Sequence, residues 1–521
     1  MGLGNREACG RTLYVVKYSV MQSHPVSTAS SAAIWIGAAL TSALGATILF
    51  DAWPGINWGI WVAAASGAVI LARTRSGNPV DAPAIILLAW ATVLALGLAV
   101  TDNGFFHFLI IISDAMLLGL AVVVTGTSAW NSLSVRLLPT VPFLAPLRVW
   151  VASAREFATV PKSISSPRAR TIVRGLLLTL PIVIALIALL RNADPVIAWS
   201  VDRITDLLPN WSISTRVLFF FFLLSLTLGA NSISARQREP RIPTLPGLTL
   251  TPTTIGVTEQ KMVLFSVSVI LWIFVLLQVS YLFHSPPNAI GSGVTFAEYA
   301  RRGFAELSFA VTIVGGVILL LETTRARDLD SLSRTSLTRL EAALLIALEL
   351  VLISAFRRVI LYEQAYGFTT TRLYAQAYMI VMGLALVALR PEIGKGAISI
   401  NFGRRLSVIA LGVFTLLVFW NHETWILNRN IDRSLVSGEF DAYYPMSLSR
   451  DVAPTLIARR QELPTKERRI VESWLECAPL REHTRWFEWN RSVAATTRAL
   501  SAASLARCKT GRRIYWNAGI D

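Results

Sequence analysis

Two carboxylates interrupt runs that are otherwise apolar enough to lie in lipid. Asp114 stands in FFHFLIIISDAMLLGLAV and Glu349 in LEAALLIALELVLISAF. An ionised acid at the centre of a bilayer costs at least ~2.5–3.5 kcal/mol, so each is expected to face other helices rather than lipid. Two chemistries follow. The acids form a proton or cation relay, or each hydrogen-bonds a neighbouring helix and holds it in place. Neither run contains a Lys or Arg that would complete an ion pair at the same depth.

A second polar set falls where apolar runs begin or end. In VTFAEYARRGFAEL (294–307), Glu298, Arg302 and Glu306 recur every four residues and share one helical face, with Tyr299 beside them. In FRRVILYEQAYGFTTTRLYA (356–375), Arg358 and Tyr362 are again four apart, followed by Glu363, Tyr366 and Arg372. RNADPVIAWSVDR (191–203) adds Asp194 and Asp202. These residues are expected at one face of the membrane. They would form a polar ring that binds a ligand or the C-terminal segment, or a belt of interfacial anchors.

Other chemistry is thinly represented. The chain has no Walker loop, HExxH, CxxC or GxSxG. Its five histidines are scattered, so neither metal nor cofactor is expected. Of three cysteines, Cys477 and Cys508 share the C-terminal segment and would pair in an oxidising compartment. A single straight helix over 485–507 would hold them roughly 30 Å apart, so a disulfide requires a break in that helix or another packing arrangement, and the alternative is two free buried thiols.

The elements that position these residues follow from composition. Of 521 residues, 54% are hydrophobic and only 15% charged, against roughly 25% charged in soluble domains. That excludes a soluble globular chain and a disordered one. Stretches near the 20 residues needed to cross a bilayer occur at 32–50, 55–72, 83–100, 105–125, 171–190, 215–232, 262–283, 304–321, 338–357, 371–389 and 403–420. Eleven crossings put the termini on opposite sides. Loops on the N-terminal side carry about 24 Lys and Arg and the opposite loops about 8, which places the N-terminus in the cytoplasm. The net charge of +16 is then orientation charge rather than a nucleic-acid surface. The segment 143–158 reads as a helix lying on the membrane surface or a solvated connector, and 238–256, rich in Pro and Thr, as an extended linker. Ile470, Val471, Trp474 and Leu475 form one helical stripe in the last hundred residues.

The segments LLRNADPVIA, VTFAEYARRGFAEL, LYEQAYGFTTTRLYA and LNRNIDR (427–433) resemble, in this order, those of a bacterial membrane family. It is the domain of unknown function numbered 4173, with its close relative numbered 4153. The resemblance spans residues 30 to 450 and implies a polytopic membrane protein with a C-terminal extramembrane segment. It implies no activity, and it marks Glu298, Tyr299, Arg302, Arg358, Glu363, Tyr366, Arg372 and Asn430 as part of the pattern.

The expected protein is therefore all-α: a cytoplasmic tail (1–31), a transmembrane bundle (32–420) and an extracytoplasmic helical segment (421–521) in a bacterial inner membrane. Without enzyme motifs, its expected role is that of an envelope sensor or scaffold, with the bilayer and an envelope protein or small ligand as partners. Two alternatives stand beside it. One is a secondary transporter coupled through Asp114 and Glu349. The other is a membrane enzyme acting on lipid-linked or envelope substrates through Glu298, Glu363 or Asp194.

Overall fold

The computed structural model describes residues 28–124, 141–159, 211–236, 255–283, 304–325, 329–477 and 485–503. Among these the chain is helical, with no strand. Asp194, Glu298, Tyr299, Arg302, Cys508 and the expected crossing at 171–190 lie outside the described residues, as does most of 238–256.

The bundle has two lobes. The first contains α1 (Thr28–Ile48), α2 (Ile56–Arg75), α3 (Ala82–Ala95, extended by a 3-10 turn to Ala99), α4 (Gly104–Val124), α5 (Val141–Thr159) and α6 (Trp211–Arg236). The second contains α7 (Val257–Phe283), α8 (Phe304–Thr324), α9 (Ser331–Tyr366), α10 (Thr370–Leu389) and α11 (Ile400–Phe419). Each lobe has its own apolar core. Val62, Leu94, Leu98 and Ile110 centre the first, and Leu264, Ile318, Leu344, Leu348 and Val359 the second. Within lipid, apolar burial adds little between helices, so polar pairs and close packing fix their register. In the first lobe Ser42 Oγ meets Thr227 Oγ1 at 2.9 Å, and Arg73 donates to the Ser234 carbonyl at 2.8 Å. Trp90 Nε1 on α3 donates to Thr415 Oγ1 on α11 at 3.0 Å and ties the lobes together.

Nine of these helices are long and apolar enough to cross a membrane, among the described residues. They coincide with nine of the expected runs. The protein is an integral membrane protein. The tenth run lies within α9, which has 36 residues and is about 54 Å long. Seven charges, Arg334, Arg339, Glu341, Glu349, Arg357, Arg358 and Glu363, dilute its hydropathy. Its position makes it a crossing nonetheless. Glu341 sits beside the end of α8, and Glu363, 22 residues or about 33 Å further on, sits beside the start of α10. Arg357 and Arg358, expected in a loop, are inside this helix.

The helix ends that meet define two faces: Ile255 N bonds Thr324 O and Arg325 pairs with Glu341 at one, and Ile56 N bonds Trp489 O and Phe368 N bonds Asn430 at the other. α1 starts at one, which we call the start face. The residues after α11 gather at the other, the tail face. There they form a small helical unit of α12 (His422–Ser437), α13 (Ala453–Arg459), α14 (Thr465–Glu476) and α15 (Arg491–Ala502). Leu427, Ile431, Val452, Leu456, Val471, Trp474 and Leu475 form its own core. The unit also rests on the bundle. Its last helix starts at Arg491 rather than near 485. Asn490 caps it by accepting from Val493 N at 3.1 Å, and the preceding Trp489 carbonyl is taken by Ile56 N at 3.0 Å.

The segment 143–158 is helical, but it does not lie free on a surface. Ala145, Val149, Ser153 and Phe157 of α5 are buried. Buried Glu156 receives Ser232 Oγ at 2.5 Å and pairs with Arg236 at 2.7 Å on α6.

Candidate functional site

The tail unit docks through a polar seam with the α3–α4 turn. Asp451 accepts from Thr101 Oγ1 at 2.5 Å, from Asp102 N at 2.8 Å and from Ser492 Oγ. Buried Glu423 accepts from Asn103 Nδ2 at 2.7 Å, Ser449 N at 3.0 Å and Ser449 Oγ. Asn490 Nδ2 reaches the Leu98 and Thr101 carbonyls at 2.7 and 2.8 Å. Burial, with Asp451 close by, pushes the Glu423 carboxyl up to about 7. Burial pushes His422 below its usual range; its ring packs on Phe106 and hydrogen-bonds Tyr374 at 3.0 Å.

A second contact lies where α9 turns into α10. The turn is sharp because Gly367 adopts φ +84°, and Thr369 caps α10 by accepting from Arg372 N. A Cβ on Gly367 would stand 2.9 Å from Asn430 Oδ1. Asn430 on α12 clamps the turn from both sides, accepting from Phe368 N at 2.7 Å and donating to Phe368 O at 2.9 Å. Arg433 Nη2 donates to Ala365 O at 2.7 Å, and Thr370 N donates to Tyr444 Oη at 2.8 Å. Arg372 donates to Gly367 O while its guanidinium stacks on the Tyr362 ring at 3.9 Å.

These contacts wall a pocket of about 270 Å³. Tyr366, Phe368 and Arg372 come from the bundle, and Arg433, Glu439, Phe440, Asp441 and Tyr444 from the tail unit. The guanidinia of Arg372 and Arg433 bond the 364–367 backbone carbonyls and form the cationic pole. Glu439 and Asp441 form the anionic pole, and Asp441 accepts from Tyr443 N and Tyr444 N. No ion pair joins the four charges among the described residues.

The expected polar ring is thus only partly assembled. Tyr366, Arg372 and Asn430 line the pocket, and Tyr362 supports it. Glu363 is buried behind it, with Oε2 accepting from Gln376 at 2.7 Å. Arg358 lies further down α9, and Glu306 is exposed at the start of α8; neither lines the pocket. Arg433, Glu439, Asp441 and Tyr444 were not singled out from the sequence. Their proximity to LNRNIDR was the available signal, but they lie more than 60 residues from the turn they contact.

The two intramembrane acids stand apart. Asp114 belongs to the first lobe, where Oδ2 accepts from Trp58 Nε1 at 2.8 Å and Oδ1 has no partner. Glu349 belongs to the second lobe, facing Gly383 of α10, with Oε1 unbonded. The sequence also gave no notice of the buried cluster at the start face. There Arg325 bonds Glu322 at 2.9 Å and Glu341, while Glu322 accepts from the backbone N–H groups of Gly394 and Gly396. Cys477 is disulfide-bonded, and no group of His, Cys, Asp and Glu suited to a metal occurs among the described residues.

Comparison with known proteins gives a family but no activity. No curated protein and no solved structure matches the chain. A family model described as a domain of unknown function, DUF4153, matches residues 86–458, from α3 into the tail unit and across the whole pocket. That is the relative named second from the sequence, and it covers well over half of the chain: this protein belongs to the DUF4153 family.

Proposed function

We propose that the protein is an envelope sensor that binds a small zwitterion at its tail face, with that face outside the cytoplasmic membrane of a bacterium. The observation that carries this reading is the pocket, where two guanidinia and two carboxylates face one cavity without pairing. A ligand bearing both an anionic and a cationic group, such as an amino acid or short peptide, satisfies both poles. The volume of about 270 Å³ falls just below the roughly 300–1,000 Å³ usual for drug-sized ligands and suits a small molecule. Because one wall is the α9–α10 turn and the other the tail unit, an occupant would alter how the tail holds the bundle. The excess of basic residues at the start face and a disulfide at Cys477 support this orientation. Pairing of Cys477 with Cys508 accords with it. A transporter coupled through Asp114 and Glu349 has less support, because the acids sit in separate cores.

The test is a thermal-shift screen of the full chain in nanodiscs against amino acids, short peptides and analogues lacking the amine or the carboxylate. Zwitterions should raise Tm and each analogue should lose most of the effect. Glu439→Gln, whose side chain has no bond in the fold, should weaken binding about 10-fold. If no charged small molecule shifts Tm, this reading is wrong.

A further inference from the structure

At the start face, far from that pocket, the first turns of α7 and α9 run side by side and leave an open groove of about 800 Å³. Its walls divide by chemistry. Lys261 and Arg339 supply cations, and Thr258, Thr335 and Ser336 supply hydroxyls. Met262, Phe265 and Leu332 supply apolar surface that is 65%, 61% and 79% exposed. Phe265 follows Lys261 by four residues, one turn or about 6 Å deeper along the same face of α7. A helix that enters lipid thus passes from a cation to an aromatic ring within one turn.

Glu259 caps its own turn by accepting from Gly256 N at 2.8 Å, and Asp330 caps α9 by accepting from Ser333 N at 3.0 Å. Asp330 lies near enough to Lys261 to feel its charge, but no ion pair forms with Lys261 or Arg339 among the described residues.

We propose that this groove is a binding site for an anionic phospholipid of the leaflet at the start face. Lys261 and Arg339 take the phosphate, and an acyl chain follows Met262 and Phe265 into the bilayer. A soluble phosphate compound would leave this apolar wall exposed, and a zwitterionic lipid would leave the cations without net charge to meet. Each basic residue near a charged leaflet contributes enough for about a fivefold preference, so two give roughly 10- to 30-fold over phosphatidylcholine.

The test uses the full chain in phosphatidylcholine nanodiscs containing a trace of spin-labelled phosphatidylglycerol or spin-labelled phosphatidylcholine. The motionally restricted fraction of each label is read by electron paramagnetic resonance. The site requires a larger restricted fraction for phosphatidylglycerol, reduced about fivefold in association constant by Lys261→Gln or Arg339→Gln singly and kept by Lys261→Arg. Equal fractions for the two labels in the wild type overturn it, as does a preference that both Gln variants retain. Displacement of the label by millimolar glycerol phosphate would reassign the site to a soluble anion and overturn the lipid. None of these readouts depends on the tail-face pocket, so either proposal can fail alone.

Discussion

Glu423 shows how one buried residue makes tail docking depend on pH. Its carboxyl is raised from 4.5 to about 7, chiefly by desolvation. The folded state therefore binds more protons than the unfolded state between those values, and stability falls as pH rises through that window. The interval corresponds to a loss of about 3 kcal/mol, complete above pH 7. Glu423→Gln keeps the shape of the protonated acid and removes the dependence. Relative to wild type, the variant should gain stability as pH rises from 4.5 to 7, and its Tm should be higher than wild type at pH 8. An unchanged pH profile would contradict this. His422 acts in the opposite sense: its lowered value removes stability as pH falls below 6.5, so the Gln variant also exposes that decline. At the start face, Arg325→Met would leave Glu322 and Glu341 buried without their cation. The expected cost is about 3–5 kcal/mol, seen as a lower Tm in detergent. Glu341→Gln, which leaves the Arg325–Glu322 pair in place, should cost less.

At the scale of elements, two glycines test whether the tail is seated as described. A Cβ on Gly55 would stand 2.6 Å from the Glu488 carbonyl, where the α1–α2 turn meets the segment before α15. Gly367 combines positive φ with the close approach of Asn430. Gly367→Ala is expected to cost about 1–3 kcal/mol through backbone strain and to loosen the turn. Limited proteolysis should then cut the tail faster than in wild type, and equal rates would count against the clamp. Trp474→Ala, in the tail's own core, should cost about 3–5 kcal/mol in the tail's unfolding transition. The sequence made the apolar helices legible because lipid demands long continuous runs. It did not show that α9 extends from Ser331 to Tyr366, since Glu341, Glu349, Arg357 and Arg358 break its run and Glu341 meets its cation only in Arg325, beyond the end of α8. The start of α15 was hidden too: the Asn490 cap and the bond from Ile56 to Trp489 fix it at Arg491. Partners such as Asp451 and Thr101 lie 350 residues apart, and no local pattern links them.

The whole molecule is two helical lobes spanned by a tail unit that touches both, the first through Thr101, Asn103 and Leu98, the second through the α9–α10 turn. This seating makes the pocket a junction rather than a surface dent, and it follows from the tail emerging where α3, α9 and α11 end. Tyr366 and Arg372 of the expected polar ring line the pocket, but half of its wall comes from the tail, which sequence spacing could not assign to it. The sensor reading requires that face to be outside. Val436 on α12 is 92% exposed and close to the pocket in sequence without lining it, and Lys395 is exposed at the start face. The most direct measurement is labelling of Val436→Cys and Lys395→Cys in intact cells with a membrane-impermeant maleimide. Labelling of Val436→Cys without permeabilisation, and of Lys395→Cys only after it, is the predicted result; the reverse pattern would contradict the account.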